Sequence, residues 1–146
     1  MVNYKLFTYK EAKGSLVLLP GLGRGLDSFD HVVREMVDEY FSSNSHYNVL
    51  VIDSRCDRDS TFDSNKPSIT AYAENLDCVL EHVGMMNPVI VGDCFGGVIA
   101  LEYAHLYPGY VDRVGIINPV FDHPDYLENG IGFTDQITPH LELLTT

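Results

Sequence analysis

Residues 89 to 100 read Val89-Ile90-Val91-Gly92-Asp93-Cys94-Phe95-Gly96-Gly97-Val98-Ile99-Ala100, an apolar strand that breaks on Gly-x-Cys-x-Gly and runs straight into a helix. No other stretch limits the fold so strongly. A side chain held at the apex of such a turn needs neighbours, two places before and two after, that carry almost no side chain. Gly92 and Gly96 occupy those places. The turn also directs the first amides of the new helix at Cys94, and a positive helix end favours the thiolate, the nucleophilic form of cysteine. Asp93 opposes that effect if its carboxylate stays ionised and close. The plainer alternative is that Cys94 is a small buried hydrophobe on a glycine-rich connection, because free cysteine is among the most buried residue types.

Strand and helix patterns alternate along the rest of the chain. Tyr4 to Tyr9 predicts an outer strand, Ala12-Lys13-Gly14 a turn, and Ser15 to Leu19 a buried strand. From Asp30 to Phe41 the residues Val33, Met36, Val37, Tyr40 and Phe41 fall on one helical face. Asn48 to Asp53 is the next strand. Ser68 is placed to cap a helix whose buried stripe is Ile69, Tyr72, Ala73, Leu76, Val79, Leu80 and Val83, with Gly84 as its stop and Cys78 on the less apolar flank. Then come a strand over Pro88 to Gly92, a helix from Phe95 to Tyr107 stopped by Pro108, and a strand from Arg113 to Asn118. The order predicts an α/β fold in three layers, a mostly parallel sheet with helices on both faces, as one domain over residues 1–146. Residues 119–146 carry no such pattern and are expected to be an irregular tail or the start of a cap. In sheets of this kind ligands bind beyond the carboxyl ends of the strands, here after Leu19, Ile52, Gly92 and Asn118.

From Leu16 to Asn118 the chain resembles the α/β-hydrolase fold family in three motifs. Leu16-Val17-Leu18-Leu19-Pro20-Gly21-Leu22-Gly23 is similar to the family's third strand and its His-Gly loop, with Pro20 where relatives carry His. Val49-Leu50-Val51-Ile52-Asp53-Ser54-Arg55-Cys56-Asp57-Arg58-Asp59-Ser60 resembles the following strand and its Asp-x-Arg-Gly-x-Gly-x-Ser loop, with Cys56 and Arg58 replacing both glycines. The Gly-x-Cys-x-Gly turn is the third, similar to the cysteine boxes of dienelactone hydrolases and polyester synthases. The resemblance implies a truncated or minimal α/β-hydrolase-like fold acting on small ester or acyl substrates, as hydrolase or acyltransferase, through a covalent acyl-enzyme on Cys94. It also implies an oxyanion hole from the backbone N–H groups of Phe95 and Leu22.

Family order places the acid and then the histidine after the nucleophile. Asp122, just past the strand that follows the turn, is the candidate acid, with Asp125 second. His123 and His140 are the candidate bases, each also readable as an ordinary surface histidine in a loop. His105 lies too far along its helix, roughly 15 Å from Cys94 at 1.5 Å per residue. His31, His46 and His82 precede the nucleophile and are expected at the surface on or beside helices.

The chain has 146 residues, 45% of them hydrophobic, which suits one compact core. It carries a net charge of −12, and from Pro67 onward eleven acidic residues face a single base, Arg113, so nucleic acid is not an expected partner. No apolar run is long enough to span a membrane, and residues 1–5 lack the basic-then-apolar start of a secretory signal, so a cytoplasmic location is expected. Cys56, Cys78 and Cys94 are odd in number and lack Cys-x-x-Cys spacing, so neither a disulfide framework nor a metal site is expected, and no cofactor. If the sheet ends at Arg113 to Asn118, its apolar edge invites a partner: a homodimer mate, a second polypeptide, or the chain's own tail. A fragment of a longer gene product would present the same edge.

Two other functions fit parts of the pattern. One keeps the fold without chemistry, a binding module that lacks a positioned base. The other is a nucleotide-binding Rossmann-like domain, for which Gly21-Leu22-Gly23-Arg24-Gly25-Leu26 has leucine in the third glycine position, and Asp53 follows by about thirty residues instead of about twenty.

Overall fold

The computed structural model describes residues 2–21, 24–40, 46–53 and 68–118, the side chains of 36–40 excepted. The elements run β1 (Tyr4–Phe7), β2 (Gly14–Leu19), a 3-10 turn (Leu26–Phe29), α1 (Asp30–Tyr40), β3 (Tyr47–Ile52), α2 (Ile69–Val83), β4 (Val89–Asp93), α3 (Phe95–Leu106) and β5 (Arg113–Ile117). Among the described residues they form one five-stranded sheet in the order β1-β3-β2-β4-β5, in which only β1 runs antiparallel to its neighbour. The expected elements are all present, with ends differing by one or two residues.

Alternation along each strand divides the core between two faces. Val17, Leu19, Leu50, Ile52, Ile90 and Val114 point to the side covered by α2 and α3. Leu18, Val49 and Val51 point to the other, against Phe29 of the 3-10 turn and Val33 of α1. Three layers follow, as the pattern predicts. Both ends of α2 form where its sequence sets them. Ser68 Oγ accepts from the Ala71 amide at 3.1 Å, and Gly84 at φ 67° provides the left-handed stop.

Phe95 through Tyr103 of α3 are all buried, as a helix apolar on every side should be. Its two polar exceptions are met by α2. Thr70 Oγ1 donates to Glu102 Oε1 at 2.7 Å, and Tyr103 Oη donates to Asp77 Oδ1 at 3.3 Å. Glu102 Oε2 is buried without a hydrogen-bond partner among the described residues. Burial, reinforced by the Asp77 carboxylate, holds the Tyr103 phenol protonated well above the usual tyrosine range.

Candidate functional site

Strand β4 sits between β2 and β5, with Gly92 opposite Leu19 on one side and Ile116 on the other. The ladder to β5 continues one residue into the turn, where the Cys94 amide donates to Ile117 O at 2.8 Å. There the chain reverses. Cys94 has φ 54° and ψ −116°, a backbone conformation that side chains other than glycine seldom adopt, and Gly97 N–H closes the first turn of α3 onto Cys94 O at 3.1 Å. Cys94 is half-buried there, short of the full burial of the Phe95 to Tyr103 run that follows.

The glycines around it are required by close approach. A Cβ on Gly92 would overlap the Gly96 carbonyl, and one on Gly96 would overlap the backbone carbonyl of Leu19. With Gly97, where a Cβ would meet Ile116 Cγ2 at 2.6 Å, these positions let α3 enter flat against β2, β4 and β5. Gly21 completes the arrangement from the neighbouring strand end. A Cβ there would lie 3.1 Å from Cys94 Cβ and 3.4 Å from Asp93 O, so the segment after β2 packs directly on the turn.

That segment is tied down by a contact the sequence did not reveal. Arg24 N–H donates to Gly21 O at 3.0 Å, and Arg24 Nη1 donates to Asp93 Oδ2 at 2.6 Å. The Asp93 side chain is 13% exposed, against 63% for Arg24. Asp93 therefore points across to the β2 segment and meets a cation there.

Of the sequence-predicted site residues, Gly92, Cys94, Phe95 and Gly96 lie together at the carboxyl end of β4, with the Phe95 amide at the first residue of α3. Leu22, Asp122, Asp125, His123 and His140 lie outside the described residues. His105 is exposed in the last turn of α3, at the end of the helix away from Cys94. His31 is exposed beside Glu35 at 3.3 Å, His46 stacks on Tyr9 with ring centroids 5.0 Å apart, and His82 is exposed with Tyr4 as an aromatic neighbour. Among the described residues no group of three or more His, Cys, Asp or Glu side chains is placed to hold a metal ion. No helix among them is long and apolar enough to cross a membrane.

Comparison with known proteins agrees with this architecture. A family model described as the alpha/beta hydrolase fold matches residues 14–137. A Haemophilus influenzae protein named as an esterase/lipase is 24% identical over 120 residues, which is 81% of this chain and 39% of that protein. A probable hydrolytic enzyme from Pseudomonas aeruginosa superposes with a TM-score of 0.63 at 25% identity, covering 82% of this chain and 42% of the other. A thermophilic esterase from Thermogutta terrifontis shares the fold with a TM-score of 0.68 at 20% identity, over 88% of this chain and 44% of its own. The chain thus spans about two-fifths of the length of these relatives.

Proposed function

Because the chain belongs to the alpha/beta hydrolase fold family, we propose that it acts on ester or acyl substrates through a covalent thioester on Cys94. One observation carries this: a half-buried, non-glycine residue at φ 54°, at the carboxyl end of a strand inside the sheet. Backbone strain of that kind costs about 1–3 kcal/mol and clusters at active sites. The hydrolase and esterase names of the relatives support the reaction class.

In the proposed reaction a base takes the thiol proton as the sulfur attacks the ester carbonyl, and the carbonyl electrons move onto oxygen. The amides of Phe95 and Leu22 donate to that oxyanion, where one such donor is worth about 2.7–4 kcal/mol of transition-state stabilisation. The carbonyl re-forms as the bond to the alcohol oxygen breaks, and the alcohol departs with the proton from the base. Water then attacks the thioester by the same route and releases the acid and the thiol. An alcohol in place of water would make the outcome acyl transfer. Asp122 with His123 or His140 is the proposed proton-transfer pair.

The expected result is turnover of p-nitrophenyl acetate above the buffer rate, abolished once iodoacetamide has fully modified Cys94, as checked by peptide mass. Turnover that survives complete Cys94 alkylation would remove Cys94 from the mechanism. Failure with a series of short-chain esters and thioesters would contradict the activity itself.

A further inference from the structure

We infer that Arg24 is a positioning residue for Cys94 that acts through Asp93. Cys94 stands between Asp93, the last residue of β4, and the amino end of α3. A helix amino end in general favours a thiolate beside it and a bare carboxylate disfavours one, and Asp93, one residue before Cys94, has a nearly buried carboxylate. Arg24 Nη1 meets Asp93 Oδ2 at 2.6 Å, so that carboxylate is paired with a cation.

The geometry fits a role in orientation as well as charge. A Cβ on Gly21 would lie within 4 Å of Cys94 Cβ, Asp93 O and Arg24 Cδ, so the arginine stem, the carboxylate's own residue and the thiol's residue surround one point. The Arg24 N–H to Gly21 O bond fixes the arginine to the segment that touches Cys94. The cation comes from the first part of the chain, because Arg113 is the single base from Pro67 onward. This deepens the use of Cys94 proposed above, on which it rests, yet its test needs no ester turnover.

The test is the rate of Cys94 carbamidomethylation by iodoacetamide at one near-neutral pH, read peptide by peptide so that Cys56 and Cys78 serve as internal references. Arg24→Gln leaves the Asp93 charge unopposed and is expected to slow Cys94 by about three- to tenfold. Arg24→Lys keeps the charge and should stay within about twofold of the parent, by the same electrostatic reasoning. Combining Arg24→Gln with Asp93→Asn removes both charges and should restore the rate. A purely structural bridge predicts the opposite, since the double variant would then react no more like the parent than the single one. An unchanged rate in Arg24→Gln, or no recovery in the double variant, would overturn the inference. A chain inactive toward esters would still give these ratios, so the two proposals fail separately.

Discussion

Replacing Gly96 with alanine is expected to cost about 3 kcal/mol or more, enough to leave a large fraction of the chain unfolded when a domain's whole stability is about 5–15 kcal/mol. The added methyl would fall on the backbone carbonyl of Leu19 in β2, and neither partner can yield by a rotamer change. Backbone must move, and the backbone in question joins a central strand to the first turn of α3. Gly14→Ala is the useful contrast. Its methyl would meet the Tyr47 ring at 2.8 Å, but that side chain is 39% exposed and free to swing outward. Its expected cost is below about 1 kcal/mol. Urea midpoints followed by far-UV circular dichroism distinguish the two, and a Gly96→Ala midpoint close to the parent's would show that α3 does not cross β2 as closely as described.

The largest effect on activity is expected from Cys94→Ala. Loss of a covalent nucleophile should lower ester turnover by about a thousandfold or more, leaving what oxyanion stabilisation and binding supply alone. Stability should hardly change. Cys94 is half-buried and its side chain forms no hydrogen bond among the described residues, and alanine meets the same backbone strain at φ 54° as cysteine does. Equal turnover in the parent and the variant, measured with p-nitrophenyl acetate, would leave Cys94 without a catalytic role. Reduced turnover together with a large drop in melting temperature would assign it a structural one.

The parts of this architecture that were legible in the sequence are those written in short-range pattern. Alternation and helical spacing define the strands and helices to within two residues, and Ser68 and Gly84 bracket α2 because capping depends on neighbours in the chain. The tight turn was legible for a related reason: Gly92 and Gly96 report how closely β2, β4 and α3 approach, even though the surfaces they approach are remote. What short-range pattern does not encode is which distant side chains meet. Arg24 and Asp93 are 69 residues apart, one in a glycine-rich segment and the other at a strand end, with no spacing rule to join them. Glu102 stands alone in an apolar helix, and only the crossing of α2 over α3 brings it Thr70. The 3-10 turn at Leu26–Phe29 escaped for another reason: four residues are too few to show a period, although Phe29 anchors it in the core. The candidate acid and bases, Asp122, His123 and His140, rest on family order alone.

The central claim is that the sulfur of Cys94 carries the acyl group. Its most direct measurement is mass spectrometry of the protein quenched in acid moments after mixing with p-nitrophenyl acetate. The expected result is a single added acetyl group, mapped to the peptide containing Cys94, released by neutral hydroxylamine and absent from Cys94→Ala. An acetyl group on any other residue, or rapid turnover with no acyl-protein at any time after mixing, would contradict it.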